Sequence, residues 1–405
     1  MAHTGEKPGA ISKADLVVGI PCSGKADSLA HATRQAASAL AASFGHLRPA
    51  IIACDDLPSE SAAAAFLAAE TDIPKIYLPS RGAAPGKMTA LRRLLQQAVA
   101  LDPGAVVLVD PDVISLRPEW VKDLCQPLLE DYELVLPLYL RDKNDGVITN
   151  HLAYPLTRAL YGWRVRQPLS REFGLSGRLA RQFVESRLWE DAVGSYGTGI
   201  WLTTLGLAAE APVCQVFLSG PRIHRDRTTP ASLEAMVRDI ALTIVRLMRR
   251  LEDHWKGVRW SKPTPIFGLD RQEAGDPPPV SISEEELYER FSEGFASCAP
   301  FYERVFDEEF VSALKRLHAV GYEHYEFSGH LWARTVYEFA AACQAATAPI
   351  EDLMASFFPL FAGRLASYAR ITKGMETRGV EDYLEHQCLI FEEAKPYLLE
   401  RWFGS

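Results

Sequence analysis

No apolar stretch of this 405-residue chain reaches the roughly 20 residues that a bilayer-spanning helix needs. The first residues, Met1-Ala-His-Thr-Gly-Glu-Lys-Pro8, are polar and lack the apolar centre of a secretion signal. A cytoplasmic protein without a transmembrane segment is therefore expected. Positive charge is not in excess: the formal net charge is −9, so there is no basic footprint for nucleic acid, and no nucleic-acid partner is expected. Paired CxxC cysteines are absent as well. The seven cysteines, Cys22, Cys54, Cys125, Cys214, Cys298, Cys343 and Cys388, are scattered and odd in number, which fits reduced thiols packed as small hydrophobes. No internal repeat is evident.

What is present is the composition of a globular protein, 48% hydrophobic and 23% charged, in a chain long enough for two domains. Residues 1–13 read as a loose tail. Short apolar runs then alternate with helical patterns. Strands are expected at Asp15–Ile20, Pro49–Cys54, Lys75–Leu78, Ala105–Val109 and Glu133–Leu138. Helices are expected at Ser28–Phe44, at Ser59–Thr71, after Pro85-Gly-Lys87 and from Pro118. Such alternation argues for an α/β fold with a mostly parallel sheet flanked by helices. The stretch from about 140 to 230 is irregular and rich in Gly, Arg and aromatics, apart from a strand at Val213–Leu218. A long amphipathic helix follows at Ala231–Asp253. Residues 256–280 contain Pro263, Pro265 and Pro277-Pro-Pro279, and read as a linker. From 281 to 405 the pattern is helical, clearest at Tyr325–Thr347 and Ile350–Ile371, and an all-α C-terminal domain is expected.

Five patches carry chemistry. Ala105-Val-Val-Leu-Val-Asp110-Pro-Asp112 is a strand-length run ending in two carboxylates. Ligands collect outside the carboxyl ends of strands in open α/β sheets, and such oxygen donors suit Mg²⁺ or Mn²⁺. The same residues also suit a plain turn with solvated side chains. His224, just past the strand at Val213–Leu218, reaches the same sheet edge if that strand lies nearby, and a packed or surface histidine is the alternative. Gly19-Ile-Pro-Cys-Ser-Gly24-Lys25-Ala26 has the strand–loop–helix context of a phosphate-binding loop, and with Asp110 it permits a P-loop NTPase or kinase. Ala26 stands where that motif needs Ser or Thr, and an ordinary turn is the other reading. Arg166-Gln-Pro-Leu-Ser-Arg171-Glu172 is either a surface ion-pair cluster or part of a site. Lys87 at a helix start suits anion binding or a plain helix start. Arg141 with Thr149 and Asn150 suits carboxylate recognition or solvent.

Taken together and in this order, the patches resemble the retaining GT-A glycosyltransferases of the glucosylglycerate and mannosylglycerate synthase type, relatives of the glucosyl-3-phosphoglycerate synthases. The matching segments are Asp110-Pro-Asp112, Gly86-Lys87, Gln167-Pro-Leu-Ser-Arg-Glu172 and Gly220-Pro-Arg-Ile-His224-Arg-Asp-Arg227, with Arg141 and Thr149 eight residues apart. The resemblance spans roughly residues 14–255, and the mannosylglycerate branch has a helical C-terminal part like 281–405. It implies a GT-A, Rossmann-like catalytic domain at 14–255 and transfer of a hexose from a nucleoside diphosphate (UDP or GDP) to a small carboxylate acceptor such as D-glycerate. It implies Mg²⁺ or Mn²⁺ held by Asp110, Asp112 and His224, with Asp112 and Glu172 in catalytic roles. Donor contacts fall on Pro21, Cys22, Lys25, Asp55, Lys87, Asp110, Glu172 and Arg225. Acceptor contacts fall on Arg141, Thr149, Asn150, Thr198 and Arg227. A homodimer is expected.

Three departures stand out. Ser170-Arg171 replaces a Gly-Gly pair before Glu172. Gly199 stands in a segment where the family often has an acid. Val147-Ile148 stands where the phosphoglycerate-using branch has an Arg, which favours a non-phosphorylated acceptor.

Overall fold

The structure is a computed structural model. It describes residues 11–404 except 81–85, 192, 193, 195, 226–228, 271–274 and 276, and the side chains of 87, 230 and 231 are also outside the description. Eight strands form one sheet: β1 (Leu16–Cys22), β2 (Pro49–Asp55), β3 (Lys75–Pro79), β4 (Ala105–Leu108), β5 (Leu134–Leu140), β6 (Phe173–Ser176), β7 (Val213–Pro221) and β8 (Ile266–Phe267). Their order across the sheet is β3-β2-β1-β4-β6-β5-β7-β8. Every neighbouring pair is parallel except the two that involve β6. The mostly parallel α/β sheet expected from the sequence is thus present, with one reversed strand in its middle.

The sheet forms because its strands are apolar on both faces, as burial under helices on both sides demands. In β1, Leu16, Val18 and Ile20 pack into the layer that also holds Leu29, Ala36 and Leu40. Val17 points the other way, into the layer of Leu91, Leu94 and Leu95. The first layer's helices include α1 (Ala26–Ser43), α2 (Glu60–Ala68) and, later, α4 (Pro118–Cys125); α3 (Lys87–Ala100) lies on the opposite face.

The irregular region holds α5 (Tyr154–Tyr161), α6 (Gly177–Glu185) and α7 (Thr198–Ala208), together with a single π-helical turn at Thr149–Ala153. The expected long helix is α8 (Pro230–Arg250), followed after Leu251 by the one-turn α9 (Glu252–Trp255). Segment 256–280 carries β8, whose Ile266 and Phe267 pair with Gln215 and Val216, while Lys262 bridges to Trp163. Six further helices complete the chain: α10 (Glu284–Val305), α11 (Glu308–Ala319), α12 (Gly329–Ala345), α13 (Ile350–Ile371), α14 (Thr377–Glu393) and α15 (Lys395–Phe403). The helix expected from Tyr325 begins only at Gly329, because Ser328 caps it by accepting from the Leu331 backbone N–H. One apolar core joins the two parts: Ile148, Leu152, Leu156, Ile240 and Met248 pack with Phe291, Trp332, Phe357 and Phe391. Among the described residues no helix is long and apolar enough to cross a membrane.

The reversal at β6 decides where the site lies. The parallel strands β1, β2, β4, β5 and β7 all end at one edge of the sheet. Strand β6 begins at that edge, so the residue just before it, Glu172, is delivered to the same place as Asp110 after β4 and His224 after β7.

Candidate active site

Asp110 and Asp112 follow β4 in a tight turn in which Asp110 Oδ1 accepts the Asp112 backbone N–H at 3.0 Å. The chain after β7 then runs antiparallel to residues 112–114. The Ile114 N–H donates to Ile223 O at 2.9 Å, the Arg225 N–H donates to Asp112 O at 2.8 Å, and Val113 bridges His224. This pairing, which joins residues over 100 positions apart, sets the His224 imidazole beside both carboxylates. One ligand atom from each of Asp110, Asp112 and His224 lies within 4.8 Å of the others. Two carboxylates and an imidazole at that spacing fit a divalent ion such as Mg²⁺ or Mn²⁺.

Around this trio the charges are paired. Asp110 Oδ2 has His224 Nε2 at 3.4 Å, Arg171 Nη1 at 3.4 Å and Arg222 Nη2 at 3.6 Å. Asp112 Oδ1 accepts from Ser28 Oγ at 3.0 Å and has Lys25 Nζ at 3.4 Å. Burial alone would raise the Asp110 carboxyl, but the His224 hydrogen bond and the two guanidinium groups outweigh it and hold Asp110 below the usual carboxylate range.

Glu172 is fully buried. Its Oε1 pairs with Arg222 Nη2 at 3.1 Å, and its Oε2 accepts from Tyr139 OH at 2.9 Å and Ser170 Oγ at 2.8 Å. Burial pushes this carboxyl up, but the Arg222 charge and the hydrogen bonds from Ser170 and Tyr139 together outweigh it and hold Glu172 below its usual value, so it is ionised at neutral pH. Burial, together with the Glu172 charge, pushes the Tyr139 phenol up to about 12, which keeps it a donor. A buried carboxylate with this many partners is rigid, and it presents a fixed negative group beside Asp110, Asp112 and His224.

Pro21, Cys22, Ser23, Leu91, Asp110, Pro111, Asp112, Arg171, Thr198 and Leu202 line one cleft, so the expected residues Pro21, Cys22 and Thr198 face it together with Asp110 and Asp112. Arg141 meets the centre through an aromatic ring: its guanidinium lies 5.0 Å from the Tyr139 ring, and that of Arg222 lies 5.4 Å from the same ring.

A scan against family models gives no match, and a search of curated proteins gives none either. Solved structures do give matches. Glucosyl-3-phosphoglycerate synthase from Mycobacterium tuberculosis in complex with Mg²⁺ and UDP is 26% identical over 59% of this chain and 80% of that one, with a TM-score of 0.45. The complex of the same enzyme with Mn²⁺, UDP-glucose and glycerol 3-phosphate is 27% identical over 59% and 80%, with a TM-score of 0.43. A further mycobacterial protein is 26% identical over 61% and 80%, with a TM-score of 0.45. A likeness of this extent leaves the chemistry to be read from the site itself.

Other expected site residues stand elsewhere. Asp55 is completely buried, and its carboxylate is used within the protein. It accepts from the N–H groups of Gly24 at 2.7 Å and Leu57 at 3.1 Å and from Tyr77 OH at 2.8 Å. Asp55 therefore shapes the loop that carries Cys22 and Lys25 and does not face the cleft. The same geometry speaks against a phosphate cradle. In a P-loop the backbone N–H groups are aimed at phosphate, whereas here the N–H of Gly24, held at φ +68°, is occupied by a carboxylate. Thr149 and Asn150 are buried in the π-helical turn. Arg225 has its backbone on Asp112 and its side chain exposed. Arg227 and the side chain of Lys87 lie outside the described residues.

Sequence reasoning missed Arg222, Tyr139, Ser28 and Tyr77. Arg222 had a usable signal, since it lies two residues before His224 and two apart is the same-side spacing of an extended chain. Gly199 has a structural cause. A Cβ there would lie 2.5 Å from Ser170 O and 2.6 Å from Leu169 O, so the start of α7 packs directly on the backbone that leads into Glu172, and no acid fits.

Proposed function

We propose that this protein is a divalent-metal-dependent glycosyltransferase. It moves a hexose, glucose or mannose, from a nucleoside diphosphate to the hydroxyl of a small hydroxy acid such as D-glycerate, and it keeps the anomeric configuration. The observation that carries this reading is the convergence of Asp110, Asp112 and His224 within 4.8 Å at the carboxyl edge of the sheet, next to the buried Glu172.

In this reading Asp110, Asp112 and His224 hold Mg²⁺ or Mn²⁺, which when bound supplies positive charge to the diphosphate leaving group. Pro21, Cys22 and Lys25, at the end of β1, meet the nucleotide side of the donor. Glu172, locked by Arg222, Tyr139 and Ser170, positions the sugar with a charge that cannot swing away. Arg141 reads the acceptor carboxylate, and Tyr139 couples its placement to Glu172. Thr198 lines the same cleft as Asp110 and meets the acceptor there.

The test is incubation of the protein with UDP-glucose, GDP-glucose, UDP-mannose or GDP-mannose, each with D-glycerate and Mn²⁺. The products are followed by mass spectrometry, and the anomeric proton is read by NMR. The reading expects one donor to give a hexosyl-glycerate with an α-anomeric signal from an α-linked donor. No hexose transfer from any of the four, to glycerate or to other small hydroxy acids, contradicts it.

A further inference from the structure

Arg171 lines the cleft beside Asp110, Thr198 and Leu202. Among the described residues its side chain makes one hydrogen bond, from Nη1 to Asp110 Oδ2 at 3.4 Å. A guanidinium carries five N–H donors in a rigid fork, so most of this group's capacity faces the cleft, where its side chain is 24% exposed. Arg222 is different: it is half as exposed, and Glu172 and Asp110 hold it.

The charges of the centre balance closely. Lys25, Arg171 and Arg222 offset Asp110, Asp112 and Glu172 one for one. A divalent ion on Asp110, Asp112 and His224 leaves a surplus that matches the doubly charged diphosphate of a sugar nucleotide. As the bond to the sugar breaks, one more negative charge builds on the leaving group until the acceptor's proton arrives. Asp110, committed to the ion, no longer needs Arg171.

We propose that Arg171 is a further catalytic residue, whose guanidinium takes up the charge that grows on the departing diphosphate. This rests on the glycosyltransferase reading above. In the step, the bond from the anomeric carbon to the diphosphate oxygen breaks and its electron pair goes to that oxygen. The acceptor hydroxyl oxygen bonds the anomeric carbon, and its proton passes to the diphosphate. Arg171 lines the same cleft as Pro21, Cys22 and Pro111, at the ends of β1 and β4, which the reading above gives to the donor. Arg141, beyond the Tyr139 ring, is left for the acceptor.

The test compares the wild type with Arg171→Gln and Arg171→Lys. Three readouts are needed: transfer to the acceptor, hydrolysis of the donor with water as acceptor, and calorimetric binding of UDP against UDP-glucose (or the guanine pair, if the wild type prefers it) with Mn²⁺. Arg171→Gln is expected to lower kcat for transfer and hydrolysis alike by about a hundredfold, with the donor KM little changed. It is expected to weaken binding of the free diphosphate about tenfold more than binding of the sugar nucleotide, and Arg171→Lys restores part of each loss. Unchanged kcat with equal losses in both affinities overturns the proposal. A loss confined to transfer, with a raised acceptor KM, also overturns it and assigns Arg171 to the acceptor. A wild type that neither binds nor turns over any sugar nucleotide removes the glycosyltransferase reading itself, an outcome distinct from an active wild type indifferent to Arg171.

Discussion

The Tyr139 hydroxyl donates to Glu172 Oε2 at 2.9 Å, in a place where neither residue meets water. Tyr139 is the last residue but one of β5 and β6 begins after Glu172, so this bond ties two neighbouring strands at the edge where the site lies. Tyr139→Phe removes the donor and leaves Glu172 with Arg222 and Ser170. A hydrogen bond to a buried charge is worth about 1.5–3 kcal/mol. Urea unfolding of the variant is expected to show a loss of that order, and hexose transfer is expected to fall in kcat. Ser170→Ala acts on the same oxygen, so the two losses are expected not to add.

Gly199 is a second point of leverage. Gly199→Ala places a methyl group 2.5 Å from Ser170 O and forces α7 away from the loop that holds Glu172. A cost of about 1–3 kcal/mol is expected from overpacking, read as a lower thermal midpoint. Because the displaced loop carries Ser170, Arg171 and Glu172, activity is expected to fall more than stability predicts.

The C-terminal helices clamp the segment that carries Arg141, Thr149 and Asn150. Tyr368 OH donates to Lys143 O at 2.5 Å, Lys143 Nζ to Thr372 O at 2.7 Å, and Trp332 Nε1 to His151 O at 2.8 Å. The His151 ring also packs edge-on against Tyr368 at 4.5 Å. Tyr368→Phe keeps the ring and deletes one clamp. Steady-state kinetics are expected to show the acceptor KM rising severalfold, with donor KM near the wild-type value. A change in donor KM alone is the opposite outcome.

Lys395 gives a pH test of the fold. Burial lowers its ammonium to about 8, although Nζ donates to Trp255 O and Val258 O. Its pKa in the unfolded chain is about 10.4, so between pH 8 and 10.4 the unfolded state binds more protons and this group adds stability as pH rises. Buried thiols act oppositely. Burial raises Cys54 to about 11 and Cys214, Cys343 and Cys388 to about 12, so they ionise first in the unfolded chain and stability falls as pH rises above about 8.5. Thermal midpoints are expected to drop from pH 7.5 to 9.5, and to drop further in Lys395→Met, which lacks the opposing contribution.

Much of the sheet could be read from the chain because β1, β2, β4, β5 and β7 are apolar runs bounded by turns. The edge where Asp110 ends was readable for the same reason, since a buried strand stops where carboxylates begin. Strand β6 escaped notice. Its four residues, Phe-Gly-Leu-Ser, sit in an Arg- and Gly-rich stretch and pair only through neighbours distant in sequence, Ala105–Leu108 and Leu134–Val135. Strand β8 escaped because a two-residue strand leaves no period among prolines. The inward turn of Asp55 was equally hidden, because its partners Gly24 and Tyr77 lie 31 and 22 residues away. Local pattern names the strand ends, and tertiary pairing decides which of their carboxylates face the cleft.

The central claim is that Asp110, Asp112 and His224 hold a divalent ion for a sugar nucleotide. Calorimetric titration of UDP- and GDP-hexoses, with Mn²⁺ and after chelation, into wild type and Asp112→Asn tests it most directly. The account predicts that Mn²⁺ tightens binding of one sugar nucleotide to the wild type by at least about tenfold, and that Asp112→Asn loses this increment while still unfolding cooperatively. An equal Mn²⁺ increment in the variant, or wild-type binding indifferent to Mn²⁺, would contradict it.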